Sequence, residues 1–278
     1  MPEKIDKIGK WSEEKLSLLG KYLHSYTNIM KGQSWCKNGY YYIDAFAGTG
    51  KPKSKDEERY IDGSPLVALK IKHPFMSYIF IEQEGWRIGK LGKLKEAFKN
   101  INIEIKEGDC NKIISNDIVT KVKYENFNRG IIFLDPFGMD IEWSTIKNIA
   151  NTRALEIFMN FPVMAINRSI LINNPDKLTK DKVERMNKLW GSPNWMSDIY
   201  KETPDLFGLR IEKVSQTGKS LGDMFRNRLK EVFPEVTFPL VMKNSNNAPL
   251  YCLLFAGHNA TGKKIVEDIF KGFESLKS

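Results

Sequence analysis

Four acids, each set where an apolar run ends, are the groups whose type and spacing suit chemistry: Asp44, Glu82, Asp109 and Asp135. Asp44 closes Tyr40-Tyr41-Tyr42-Ile43 and opens Ala45-Phe46-Ala47-Gly48-Thr49-Gly50. An acid at a strand end can hold a cationic or hydroxylated ligand, and Gly48 and Gly50 let backbone approach that ligand closely. Asp135 follows Gly130-Ile131-Ile132-Phe133-Leu134 and begins Asp135-Pro136-Phe137-Gly138. There a carboxylate and the next backbone carbonyl can accept hydrogen bonds from an amine while an aromatic ring stacks on a planar substrate. Phe137 reads equally as that ring or as a core residue of a strand-to-helix turn.

To place these acids on one edge, the chain must form a parallel sheet. The apolar runs 40–44, 78–84, 101–105, 130–134 and 155–159 alternate with helical segments and end on polar residues, the last at Asn160-Phe161-Pro162. That pattern predicts an α/β fold: a doubly wound, mostly parallel sheet with its ligand crevice at the strands' C-terminal ends. Before the first strand, Leu16, Leu19, Leu23, Tyr26 and Met30 predict an amphipathic helix over 11–30, with Ser12 as N-cap. Residues 51–59 read as a surface loop able to act as a lid, Ser64-Pro65 as the capped start of the next helix, and 86–99 as a basic helix. Residues 166–215 read as a helical insertion over the crevice, in which Trp190 and Trp195 anchor helices to the core in preference to stacking bases. Charges at Arg226, Arg228 and Lys230 read as a solvated face of a helix over 220–233. The Asn-rich turn 244–247 between apolar runs predicts a C-terminal β-hairpin, followed by a helix over 262–276. The segments 1–39 (helix on the core), 40–165 (ligand-binding core), 166–215 (insertion) and 216–278 (completion of the sheet) form one structural domain.

A net charge of +9 over 278 residues suits a polyanionic partner such as nucleic acid, or a Lys-rich surface without one. Cys36, Cys110 and Cys252 lie far apart, as do His24, His73 and His258, so neither a disulfide framework nor a metal site is expected. No signal-peptide core and no membrane-length apolar run is visible, which predicts a soluble cytoplasmic protein with no membrane association. Two segments imitate a phosphate-binding P-loop. In Gly48-Thr49-Gly50-Lys51, Ala45 replaces the first glycine and Pro52 the magnesium-binding hydroxyl; in Gly257 to Lys264, Lys264 replaces that hydroxyl. Both disfavour an NTPase, and the second reads as the turn from the last strand to the last helix.

Asp44-x-Phe46-x-Gly48-x-Gly50 resembles the first motif of S-adenosylmethionine (SAM) dependent methyltransferases with a Rossmann-like core. Asp135-Pro136-Phe137-Gly138 resembles the Asp/Asn-Pro-Pro-aromatic motif of base amino-methyltransferases, with Phe137 in place of the second proline and Gly138 in place of the aromatic. With Gly63-Ser64-Pro65, Phe80-Ile81-Glu82, Asn160-Phe161-Pro162 and Leu254-Phe255-Ala256-x-His258, the ensemble is similar to the three-Cys-motif partner family (TcmP) across nearly the whole chain. The resemblance implies a class I methyltransferase fold and a link to a three-Cys-motif, radical-SAM-like protein. The family's reaction and substrate do not follow from it; the Asp44-x-Phe46-x-Gly48-x-Gly50 and Asp135-Pro136-Phe137 likenesses, with the strand-end acids, imply SAM as the cofactor. Asp44, Phe46, Gly48 and Gly50 meet its methionine end, Glu82 its ribose and Asp109 its adenine, while Asp135, Pro136 and Phe137 face a nucleic-acid acceptor. The alternative is a non-catalytic accessory module that keeps the fold.

Overall fold

The computed structural model describes residues 4–36, 39–172, 175–205, 208–213 and 218–277, with the backbone alone for Asp176, 201–205 and 208–213. In chain order come β1 (Lys7–Ile8), α1 (Lys10–Met30), β2 (Tyr40–Asp44), β3 (Lys53–Ser54), α2 (Ser64–Leu69), β4 (Ser77–Glu82), α3 (Gly85–Ala97) and β5 (Ile103–Glu107). A short α4 (Cys110–Ile113), a π-helical stretch (Ile114–Ile118) and α5 (Val119–Lys121) lead to β6 (Arg129–Leu134), α6 (Trp143–Asn151) and β7 (Leu155–Phe161). Next are α7 (Val163–Ser169), α8 (Lys180–Trp190), α9 (Trp195–Ile199), β8 (Tyr200–Asp205) and β9 (Gly208–Lys213). The chain ends with α10 (Gly218–Leu229), β10 (Glu235–Val236), β11 (Leu240–Lys243), β12 (Pro249–Gly257) and α11 (Ala260–Ser275).

The central sheet runs β10-β12-β7-β6-β2-β4-β5, with β11 also paired to β12. Strands β5, β4, β2, β6 and β7 are mutually parallel, and β12 is antiparallel to β7 and β11. This is a doubly wound, mostly parallel sheet with its C-terminal hairpin. Because successive side chains of a strand point to opposite faces, the inner strands sort their residues into two layers. Tyr42, Tyr78, Phe80, Phe133, Phe158 and Phe255 build an aromatic layer under α1, α2, α3 and α11. Ile43, Ile79, Ile132, Leu134, Ile157 and Met159 build an aliphatic layer under α6 to α10. Each fully buried ring or branched side chain contributes about 2 kcal/mol relative to exposure.

Several local expectations are corrected. The first helix starts at Lys10 with Gly9 as N-cap, and the Ser12 N–H already bonds to the Gly9 carbonyl at 2.9 Å. Gly63, not Ser64, is the N-cap of α2. Loop 51–59 is tied down: β3 pairs in parallel with β1, and the Lys53 N–H bonds to the Asp6 carbonyl at 2.8 Å. The insertion is not wholly helical, since β8 and β9 form an antiparallel pair. In β8 a polar sequence with Pro204 inside it hides the strand pattern. Arg226 and Arg228 are not simply solvated: Arg226 bonds to the Thr237 carbonyl at 2.9 Å and Arg228 to the Trp190 carbonyl at 3.1 Å. Lys230 is exposed. Trp190 and Trp195 are buried in the aliphatic layer, so their rings are not available to bases. Gly191, at φ 81°, ends α8 where any Cβ would collide with the Trp143 ring.

Candidate functional site

The connections from β2 through β4 to β5 run to one side of the sheet, and those from β6 through β7 run to the other. The switch point therefore lies between the C-terminal ends of β2 and β6, where crevices form in such sheets. Asp44 ends β2 and Asp135 follows β6, so both border it. The loop after Asp44 turns twice through left-handed backbone, at Gly48 (φ 61°) and Gly50 (φ 73°), and a Cβ on Gly50 would stand 2.9 Å from Leu94. Glycine is required there for conformation and for space.

Asp44 is fully buried. Its carboxylate accepts from the Phe46 N–H at 3.3 Å and from the Tyr42 hydroxyl at 3.2 Å, and the Ser64 hydroxyl bonds to it as well. Desolvation pushes its carboxyl up to about 7; the nearby Asp135 charge adds to this and the hydrogen bonds oppose it. Ser64 thus gives up the capping role to brace Asp44. Phe46 packs partly buried against the aliphatic layer.

Glu82 is buried at the end of β4 and holds the glycine loop in place. One oxygen accepts from the Gly48 N–H at 2.8 Å, and the other accepts from the N–H groups of Gln83 at 2.8 Å and Glu84 at 3.0 Å. Arg87, in the first turn of α3, approaches Glu82 at 3.8 Å, pairs with Asp6 at 2.9 Å and lies over the Phe137 ring at 5.0 Å. Phe137 itself is 76% exposed, so it is not a core residue. Asp109 is exposed and caps α4 through the Lys112 N–H at 3.0 Å.

Asp135 sits in a cluster with Lys15, not singled out from the sequence, and Asn160, which the sequence marked only as a strand end. Lys15 of α1, only 7% exposed at its side chain, forms an ion pair with Asp135. Asn160 of β7 donates to the other Asp135 oxygen at 2.6 Å. The ammonium also stands over the rings of Tyr251 at 5.4 Å and Phe133 at 6.0 Å. A signal for Lys15 existed: it shares a helix face with Leu19 and Tyr22, so it is a cation on an apolar stripe. Pro136 is buried.

Three buried polar atoms around this edge have no hydrogen-bond partner: Thr49 Oγ1 in the glycine loop, Arg87 Nε and Asn160 Oδ1. A ligand carrying both donors and acceptors would satisfy them. Asp44, Phe46, Gly48, Gly50, Glu82 and Asp135 lie at the C-terminal ends of β2, β4 and β6 or in the loops that follow them. Asp109 stands apart at the end of β5, on the edge where the β2–β4–β5 half finishes. Among the described residues no group of three or more His, Cys, Asp or Glu is placed to hold a metal, and no helix is long and apolar enough to cross a membrane.

No protein-family model and no curated protein matches the sequence. Among solved structures, the chain is similar to protein LPL1258 of Legionella pneumophila, of the family DUF519, at 12% identity and TM-score 0.54, covering 93% of this chain and 90% of that one. This likeness is one of fold. Weaker likenesses include the N-terminal domain of EvdMO1 with SAH bound (11% identity, TM-score 0.40, 85% and 81% covered). Another is TYW2 of M. jannaschii in complex with AdoMet (12% identity, TM-score 0.33, 83% and 74% covered).

Proposed function

We propose that the chain is a SAM-dependent methyltransferase acting on a nucleic acid, in partnership with the three-Cys-motif protein that its family resemblance implies. The observation that carries this reading is the Lys15–Asp135–Asn160 cluster at the switch point, flanked by the glycine loop and the exposed Phe137 ring. When bound, SAM supplies an electrophilic methyl group on a sulfonium. Phe46, Gly48 and Gly50 would border its methionine end, with Asp44 bracing the loop from below. Glu82 would meet the ribose and Asp109 the adenine amine. Lys15 balances the Asp135 charge and, with Asn160, fixes the carboxylate's direction. Asn160 Oδ1 and the Asp135-Pro136 backbone are then the acceptors that orient an incoming amine, and Phe137 stacks on its ring. The net charge of +9 supports a polyanionic acceptor.

A second reading, an accessory module that binds without turnover, is favoured by one observation: Asp44, Glu82 and Asp135 all spend hydrogen bonds inside the protein. Thermal-shift titration with SAM and its demethylated product comes first, since a ligand that binds only the folded state raises Tm. No shift with either compound at saturation removes the leading reading. Transfer of a tritiated methyl group to tRNA, rRNA or DNA then separates the two, with Asp135→Ala as control. Binding without labelling supports the module, and undiminished labelling by Asp135→Ala removes the role of Asp135.

A further inference from the structure

A cavity of about 520 Å³ opens at the opposite edge of the sheet, between α1, the starts of β6 and β7, and the N-terminus of α11. It is lined by part of the P-loop-like segment, His258-Asn259-Ala260-Thr261-Gly262, which the site described above does not use. Its floor holds Tyr22, Tyr26 and Glu156. The Tyr26 hydroxyl is buried with no hydrogen-bond partner, in a residue only 8% exposed. A buried orphan of this kind is costly unless a ligand or water meets it. Tyr22 donates to Glu156. Desolvation pushes the Glu156 carboxyl up to about 7, so this floor offers hydrogen bonds more than charge.

The rim is cationic and aromatic. Arg129 stacks over Tyr124 at 3.9 Å and Trp35 at 4.6 Å, and Arg153 stands 5.7 Å from the Tyr124 ring. Among the described residues neither arginine forms an ion pair, although Arg153 is held in left-handed backbone (φ 54°) beside the cavity. The 16-residue α11 adds its N-terminal dipole, with Asn259 capping the Thr261 N–H at 2.9 Å. Lys263, the lysine of the P-loop-like segment, is instead paired with Glu235 at 3.2 Å. The rim therefore suits one phosphate rather than a triphosphate chain. The volume exceeds what inorganic phosphate fills and falls in the small-ligand range.

We propose that this cavity is a second ligand site, independent of the methyltransferase reading, that takes a nucleoside monophosphate. The phosphate meets Arg129, Arg153 and the α11 N-terminus, and the base edge meets the Tyr26 hydroxyl and Glu156. Calorimetric titration of the full chain with AMP, GMP, CMP, UMP and inorganic phosphate, with and without saturating SAH, tests it. At least one nucleotide binds in both conditions and more tightly than phosphate. Arg153→Gly, which suits the local backbone, and Tyr26→Phe, which removes only the orphan hydroxyl, each weaken it about tenfold. Tyr26→Phe leaves unfolding midpoints unchanged or higher, a readout that a structural hydroxyl would not give. No nucleotide binding at millimolar concentration, displacement by SAH, phosphate binding as tightly as the nucleotides, or unchanged affinity in both variants overturns the proposal. Failure of SAH itself to bind bears only on the crevice.

Discussion

Replacing Asp44 by Asn isolates the cost of placing an acid where no water reaches it. Burial raises the carboxyl from 3.8 to about 7. A group raised in the folded state binds its proton more tightly there than in the unfolded chain. Folding stability therefore falls as pH climbs from the unfolded value, about 4, to about 7, and the penalty stays constant above that. At about 1.4 kcal/mol per pH unit the full penalty approaches about 4 kcal/mol, of which about 3 accrues between about pH 5 and about pH 8. Asn cannot ionise, and its amide can still accept from the Phe46 N–H while donating to the Tyr42 or Ser64 hydroxyl. Urea unfolding of both proteins at the two pH values, with equal m, gives the difference directly. The stability of Asp44→Asn relative to the parent should rise by about 3 kcal/mol from the lower to the higher pH. A difference that does not change with pH refutes the buried, proton-holding Asp44. Titrating groups that do not interact with Asp44 are common to both proteins and cancel, and Asp135, which does, is ion-paired with Lys15 in both across this range.

Lys15→Met leaves the Asp135 carboxylate with Asn160 alone and should cost about 2 kcal/mol in chemical denaturation, while Lys15→Met with Asp135→Asn should recover most of it. Gly50→Ala forces a side chain into left-handed backbone against Leu94, and a loss of about 2 kcal/mol in thermal or urea unfolding is expected. Glu156→Gln removes a second acid raised by burial to about 7, so its stability relative to the parent should also improve as pH rises from about 5 to about 8. That gain should add to the gain from Asp44→Asn, because the two acids lie at opposite edges of the sheet.

The inner strands were legible because buried parallel strands carry mostly apolar runs, and the polar residues that end them mark one edge of the sheet. The edge strand β5, Ile103-Glu104-Ile105-Lys106-Glu107, alternates instead and lies two residues later than the run 101–105 suggested. The C-terminal hairpin announced itself by Asn244 to Asn247 between two such runs, and β11 pairs with β12 across that turn. Lys15 was harder to read. Its partner Asp135 is 120 residues away, and nothing local to either specifies the pair. Glu82 shows a different limit: a strand-end acid looks alike whether it waits for a ligand or grips the Gly48 N–H, since both uses need a carboxylate at the same height. β8 is not legible because Lys201 to Asp205 carries no apolar alternation, whereas in β9 Leu209 and Ile211 alternate with Arg210 and Glu212 over only a few residues.

The sorting of side chains into an aromatic and an aliphatic layer gives the two sides of the sheet different optical weights. Trp143, Trp190 and Trp195 are all buried in the aliphatic layer, beside α10, while Tyr22, Tyr26, Tyr42 and Tyr78 fill the other. The most blue-shifted tryptophan emission, from these three buried rings, thus reports on the side carrying the insertion, although Trp11 packs partly buried on the other side. Tyrosine absorbance is weighted toward the side carrying α1 and α11, with Tyr200 the buried exception. If the insertion loosens before the rest, emission will shift at a lower denaturant concentration than the tyrosine difference signal. Coincident transitions would mean that the sheet unfolds its two sides as one.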